Sequence, residues 1–347
     1  MHSKPALRSP LLFAGLLVIA MITTSCNLTR YVIRKSGPVL DKSVSVLFSY
    51  KDPEMARQAT PALLVVLEGL LASDPENPTL LRLLCRGLYE YTFGFLQADY
   101  ERARETDPEA AERLRRRARM QYVKVYELGL RLLRTHGARF TLQLTKKAEV
   151  KRQLAKLDKR AVPALTWTAL GAGSALLLGI DQPWLLQMIG KIPLLLERAV
   201  ALNPRYANAL PVGGLALYYG RDLMTGGSAI KSQNYFTQAI RLTRRRHLLY
   251  LVLYARYWAW QFQSVEFERV GRGTSARTVP IRPKNKRALF VALLQEVLRF
   301  RLQDAPLLRL PNTLAQRMAR QLLRRKDDFL GQQSPRGPGR VARGGTP

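Results

Sequence analysis

An internal repeat constrains the fold of this chain more than any other feature of its sequence. Residues 67–89 (LEGLLASDPENPTLLRLLCRGLY) align with residues 196–218 (LERAVALNPRYANALPVGGLALY) without a gap. Both windows predict a helix, a turn that contains proline and a second helix, as between neighbouring tetratricopeptide-like units. Nearly all other segments also have apolar residues at helical spacing, and we find no convincing strand pattern. The sequence therefore predicts an all-α fold of tetratricopeptide-like helical hairpins that stack into an α-α superhelix.

Several helix starts can be placed from local chemistry. An Asp or Asn followed by proline is typical of an N-cap and the first helical position, because the side chain accepts a free backbone N–H and proline lacks one. This pair occurs at Asp52-Pro53, Asp107-Pro108 and Asn203-Pro204. We predict that a helix begins at each of these prolines.

A basic stretch that contains glycine and proline, Glu268–Arg287, separates two predicted helices, Leu248–Phe267 and Ala288–Arg301. Its composition favours a flexible, solvated insertion. A loop that binds phosphate or lipopolysaccharide is the alternative, because the stretch contains seven Lys and Arg residues.

Two features are predicted to lie in the interior. Cys85 occupies the same step of the repeat as Gly214, where helices approach closely, so we predict a buried small residue rather than a reactive thiol. Ala161–Ile180 carries no charge over 20 residues. We predict a buried central helix, with Trp167 as a wall if it lines a cavity; a transmembrane helix is the alternative.

The N-terminus has the order of a bacterial lipoprotein signal. Two cations, Lys4 and Arg8, precede the apolar run Leu11–Ile22, and three small residues lead into Cys26. We predict that residues 1–25 are removed and that Cys26 carries the lipid anchor, in the periplasmic leaflet of the outer membrane. A plain signal peptide and an uncleaved membrane anchor are the alternatives. The mature chain is then a helical periplasmic domain, residues 26–330, with a disordered basic tail, residues 331–347.

The formal net charge of +31 favours anionic partners, although arginines on solvated helix faces would give the same total. A binder of anionic polymers, which would lose affinity steeply as salt rises, is one functional hypothesis. The sequence has no HExxH, GxSxG, Walker A or CxxC motif and no RNA-recognition, zinc-finger or basic-zipper signature. We therefore expect no enzymatic activity, no cofactor, no metal and no nucleic-acid partner.

A series of short stretches points to one family. They are PALTW (163–167), LLERAVALNP (195–204), GG (226–227), YFTQAIRL (235–242), LYAR (253–256), FVALLQEVL (290–298) and NTLAQ (312–316). In their order and spacing they resemble the TatT component of tripartite ATP-independent periplasmic (TRAP) transporters. The basic insertion, the basic tail and the high net charge depart from that family.

The resemblance implies a lipid-anchored periplasmic protein that forms homotrimers and docks the solute-binding protein of a TRAP transporter. It also implies channels through the helical repeats that conduct a hydrophobic ligand. We predict Trp167, Tyr218 and Tyr254 as walls of such a channel. The alternative is a tetratricopeptide-like scaffold lipoprotein for outer-membrane or envelope assembly, whose groove would bind a peptide.

Overall fold

The computed structural model describes residues 30–221, 226–262, 265–270 and 277–327. These ranges are predominantly helical, which confirms the all-α prediction. The helices are α1 (Gly37–Phe48), α2 (Pro53–Ser73), α3 (Pro78–Tyr91), α4 (Gln97–Thr106), α5 (Pro108–Arg134), α6 (Lys147–Ala155), α7 (Val162–Leu177), α8 (Pro183–Leu186), α9 (Ile192–Leu202), α10 (Tyr206–Tyr219), α11 (Ala229–Leu242), α12 (Leu249–Tyr254), α13 (Lys286–Arg299) and α14 (Arg309–Arg324). The predicted signal, Cys26 and the predicted tail lie outside the described residues.

The chain divides into two compact units. Of the described residues, the first unit contains those from 30 to Leu215 together with Leu302–Pro311, and the second contains those within Ala216–Arg301 and from Asn312 to 327.

The charge-free segment forms the centre of the first unit, as predicted. Nearly all of α7 is buried, with Leu165 and Trp167 fully enclosed. Glycines let α5 and α7 meet backbone to backbone: a Cβ on Gly129 would lie 2.8 Å from the Cα of Thr168, and one on Gly171 would lie 2.6 Å from the backbone N of Tyr126. Side chains at either position would hold the two helices apart.

Two of the predicted helix starts are confirmed and one is wrong. The Asp52 carboxylate accepts a hydrogen bond from the Glu54 N–H at the start of α2, and Asp107 caps α5 in the same way. At the third site, Asn203 Oδ1 accepts a hydrogen bond from the Arg205 N–H at 3.1 Å. The chain departs from a helix after this contact: α10 is assigned only from Tyr206, and its residues Ala207, Asn208 and Ala209 have positive φ of 45, 59 and 62°.

Both windows of the repeat are helix–turn–helix, as predicted, formed by α2 and α3 and by α9 and α10. Cys85 is fully buried, with its Sγ 3.8 Å from the Val125 carbonyl oxygen, and burial raises the pKa of its thiol well above the usual range. This confirms the prediction of a packing residue. At the matching position, a Cβ on Gly214 would lie 2.9 Å from a methyl carbon of Leu170.

In the second unit, one predicted helix is confirmed in its first part and ends earlier than predicted, and the predicted insertion contains strands. The helix predicted over Leu248–Phe267 consists of α12 and a π-helical extension, Ala255–Trp260, and Phe267 already belongs to a strand. The predicted flexible insertion contains a two-stranded antiparallel hairpin, β1 (Phe267–Val270) and β2 (Arg277–Pro280), which pairs Phe267 with Pro280. Strands of four residues are too short for an alternating pattern to stand out. The predicted helix over 288–301 is confirmed by α13.

The hairpin is fixed to the start of α11. The Glu268 carboxylate accepts hydrogen bonds from Ser228 Oγ at 2.5 Å and from the Ile230 N–H at 2.9 Å. A carboxylate at this place satisfies free backbone donors of the helix and complements its dipole. The segment from 265 to 270 is therefore held in place by contacts of its own.

In the described part of the chain, α2 has the length of a membrane span and a mean hydropathy of 1.2. Core helices of folded domains pass the same test. Because Leu64, Leu67 and Leu71 are buried in the first unit, we treat α2 as part of that fold.

Candidate binding site

A pocket of about 370 Å³ opens on the first unit among α2, α3 and α5. Its floor is apolar and consists of the buried Leu71, Leu84 and Leu128, one from each helix. Its rim is charged. The lining residues are Glu68, Leu71, Ala72, Pro75, Leu84, Lys124, Leu128 and Arg131. This volume falls within the range of small-molecule sites.

Two cations lie on one face of α5 at the rim. Lys124 Nζ is 2.7 Å from Glu68 Oε1, and Arg131 donates a hydrogen bond to the Pro75 carbonyl oxygen at 2.5 Å. The ion pair is solvent-exposed on both sides and contributes at most about 1 kcal/mol, so an incoming anion could replace the carboxylate at little cost. The pocket suits a group with an apolar body and an acidic end.

The structure places Trp167 in the packed core of the first unit. Its indole N–H donates a hydrogen bond to the Tyr206 hydroxyl at 3.2 Å, and its ring centroid lies 5.7 Å from that of Tyr89. Burial raises the pKa of Tyr206 to about 12. Trp167 does not line the pocket described above, and its role as a channel wall stays a prediction.

Tyr218 and Tyr254 belong to the second unit. Tyr254 is buried between Phe236 and Trp258, at ring-centroid distances of 5.3 and 5.2 Å, so it packs within an aromatic cluster. Burial raises the pKa of its hydroxyl, which accepts a hydrogen bond from Gln233 Nε2 at 3.0 Å. Tyr218 is half-buried, with the Arg221 guanidinium 4.1 Å from its ring centroid. Their predicted contact with ligand remains untested.

Sequence reasoning missed the pocket. Lys124, Leu128 and Arg131 follow helical spacing on α5, and this spacing could have indicated that they share one face. It could not be singled out, because the same helix contains many other arginines and because the partners on α2 are distant in sequence. In the described ranges, no three His, Cys, Asp or Glu side chains are grouped as a metal site would require.

Comparison with known proteins gives one result for the family. The family model described as TRAP transporter T-component matches residues 49–270 and 272–330, which is most of the chain. No curated protein matches the chain. The matched segments contain α2 through α14 and both units of the structure. This helical chain therefore belongs to the TRAP transporter T-component family and is associated with TRAP transport.

Proposed function

We propose that this protein is a lipid-anchored T-component that docks the periplasmic solute-binding protein of its TRAP transporter and receives or delivers ligand. The family match over most of the chain carries the proposal. The lipoprotein-like start that ends at Cys26 supports a position at the periplasmic leaflet of the outer membrane. A homotrimer and a hydrophobic ligand passage belong to the same proposal.

A cluster of exposed apolar side chains supports docking of a protein. The end of α7, the turn after it and the short α8 expose four large apolar side chains: Leu177, Ile180, Trp184 and Leu186, by 51, 59, 37 and 42%. We call residues 177–186 the apolar turn. Four large apolar side chains within ten residues form the kind of exposed patch that marks an interaction site, and exposed Trp is enriched among the residues that dominate binding.

Ion pairs and a hydrogen bond connect the apolar turn to α5. Asp181 accepts a hydrogen bond from Arg115 Nη1 at 3.1 Å and lies 3.6 Å from Arg119 Nη1. Arg115 also donates to the Leu178 carbonyl oxygen at 3.3 Å. A surface that is already ordered loses less conformational entropy on binding. The apolar turn therefore exposes aromatic and aliphatic side chains on a segment that is connected to α5.

We expect the double substitution Ile180→Asp with Trp184→Ala to weaken binding of the transporter's solute-binding protein at least tenfold. The reason is that the substitution removes two exposed anchors and puts a charge where the partner's apolar surface would lie. The affinity of the two purified proteins is measured by biolayer interferometry.

Met120→Ala with Leu144→Asp is the matched control, because both residues are exposed apolar side chains of the first unit. This control should bind within twofold of the unaltered protein. If the unaltered chain does not bind the solute-binding protein, the docking proposal fails. If both double variants bind normally, docking uses another surface.

The anchor is tested separately. Cells that express the full chain and are fed labelled palmitate should transfer label to it, and the Cys26→Ala variant should carry none. Fractionation should move that variant out of the outer-membrane fraction, because a firm anchor needs the acyl chains. Label that persists in Cys26→Ala would contradict acylation at this thiol.

A further inference from the structure

The second unit carries most of the excess positive charge. Its sequence contains 24 Lys and Arg against 6 Asp and Glu, whereas the rest of the chain contains 32 against 19. The second unit is also the shorter of the two. The surplus of cations is therefore concentrated in the second unit.

Part of this charge forms a regular stripe on α14. Arg317, Arg320 and Arg324 are exposed and spaced by three and four residues, so they lie along one face of the helix. The opposite face is buried through Ala315, Ala319 and Leu322. We call these three arginines the arginine stripe. The apolar face of α14 is therefore packed in the unit, and its basic face is exposed to solvent.

Side-chain contacts fix the position of the stripe in its unit. The Gln316 amide donates hydrogen bonds to the carbonyl oxygens of Val297 and Phe300, both at 3.0 Å, at the end of α13. At the other end, Arg287 of α13 donates to Asp327 at 2.6 Å. The exposed Arg299 lies in the turn that Gln316 contacts.

No counter-charge of the described chain meets the stripe, in contrast to Arg245 of the same unit. Arg245 forms a two-pronged pair with Glu296 at 2.6 and 2.5 Å. By contrast, Arg317, Arg320 and Arg324 have neither a hydrogen-bond partner nor an ionic partner among the residues that the structure describes. Like charges three and four residues apart on a helix repel one another, which destabilises the isolated stripe. An external anion would relieve this repulsion.

We propose that the arginine stripe lies on the anionic phospholipid headgroups of the membrane to which the protein is anchored. The proposal depends on the proposed function only for the presence of a membrane. Guanidinium groups bind phosphate through paired hydrogen bonds, and basic clusters are attracted to anionic bilayers. In sequence, the chain after the described residues contains Arg336, Arg340 and Arg343 against one acidic residue, Asp328.

Lipid fits this face better than a protein partner. The centre of a protein interface combines arginine with aromatic and other apolar side chains and is poor in other charged residues. In the described chain, none of the exposed large apolar side chains lies on α13 or α14. The face therefore offers charge without apolar anchors, which suits a fluid layer of phosphates.

The proposal is tested with vesicle flotation of a chain that begins at Asn27 and thus lacks the acyl anchor. This chain retains every residue that the structure describes. The vesicles contain phosphatidylcholine alone or with about one third phosphatidylglycerol. We expect binding to the phosphatidylglycerol vesicles that falls at least tenfold between 50 and 300 mM salt, as rough working concentrations, because salt screens the attraction.

The variant R317Q/R320Q/R324Q should bind phosphatidylglycerol vesicles at least tenfold more weakly. The control K151Q/K156Q/K159Q removes three exposed cations of the first unit and changes the net charge equally, and it should lose less than threefold. Glutamine keeps good helix propensity, and circular dichroism checks the fold.

Equal losses in the two variants, or no binding to phosphatidylglycerol vesicles, would overturn the proposal. The proposal is also overturned if the stripe variant keeps its vesicle binding and loses the solute-binding protein, which would make the stripe a protein contact. Because this chain has no anchor, failure here leaves the palmitate and docking experiments unaffected.

Discussion

Replacing Gly171 by alanine is expected to lower the free energy of unfolding by about 3 kcal/mol, because the added methyl group overpacks a contact between two backbones. Its Cβ would lie 2.6 Å from the Tyr126 backbone N and 3.0 Å from the Tyr122 carbonyl oxygen. Neither atom can rotate away as a side chain could. Relief therefore requires α5 and α7 to separate at the centre of the first unit.

A matched control lies two residues along the same helix. At Gly173 the nearest atom to an added Cβ is a methyl carbon of Ile192 at 3.8 Å, an ordinary contact. Gly173→Ala should raise the free energy of unfolding by up to about 1 kcal/mol, because alanine is the better helix former. Urea titration followed by circular dichroism measures both variants. Equal stability of the two variants would contradict the backbone contact between α5 and α7.

The elements that sequence reasoning predicted correctly depend on local chemistry. Asp52 and Asp107 each supply a carboxylate to the N–H groups that follow, and a proline fits the first helical position. The burial of α7 follows from its lack of charge, since no side chain in it needs water. These properties are contained in a few neighbouring residues.

The wrong predictions concern places where local chemistry permits two outcomes. Asn203 before a proline suits a helix cap and a turn equally, and here the positive φ of the three residues from Ala207 to Ala209 prevents a regular helix from starting at Pro204. The β1–β2 hairpin is held at Glu268 by Ser228, which is 40 residues away. Contacts of this range cannot be read from a window of sequence.

The candidate surfaces show the same limit. The apolar turn reads as the end of a buried apolar segment, and only the structure shows Ile180 and Trp184 exposed. The pocket combines residues of α2, α3 and α5. The arginine stripe has visible helical spacing, but its lack of partners depends on which carboxylates fold nearby. The sequence therefore predicts the helices well. It does not predict the three candidate surfaces, which depend on contacts between distant segments.

The free energy of unfolding is expected to fall by about 3 kcal/mol as pH falls from about 6.5 to about 4, through the titration of His247. Burial lowers the pKa of His247 to about 4. Its Nδ1 is shielded from water and has no hydrogen-bond partner in the described chain, and its ring stacks 4.8 Å from that of Tyr250. A charged imidazolium would be poorly solvated there.

The surroundings of the ring explain why it stays neutral. Asn312 fixes both flanks, because its Oδ1 accepts a hydrogen bond from the Leu248 N–H at 3.0 Å and its Nδ2 donates to the Arg246 carbonyl oxygen at 2.8 Å. The carboxylate of Glu296 is engaged by the neighbouring Arg245. Burial is thus the dominant influence on the pKa of His247.

The number of protons bound in each state sets the direction in which the unfolding free energy changes with pH. Between pH 6.5 and 4 the unfolded chain binds a proton at His247 and the folded chain does not, so acid favours unfolding. His247→Phe keeps a ring for stacking and removes the titration. The difference in unfolding free energy between the two proteins should therefore shift by about 3 kcal/mol over this range, at about 1.4 kcal/mol per pH unit at most.

Measuring the difference between two proteins cancels other titrating groups, including Asp74, whose pKa is lowered chiefly by its hydrogen bond to Arg34. His136→Phe is the control. Burial also lowers the pKa of His136, but the nearby Asp158 opposes the shift. The pH dependence of the unfolding free energy should therefore change less in His136→Phe than in His247→Phe. Parallel profiles for unaltered protein and His247→Phe would mean that the imidazole reaches water and titrates normally, which the enclosed Nδ1 and the Asn312 contacts argue against.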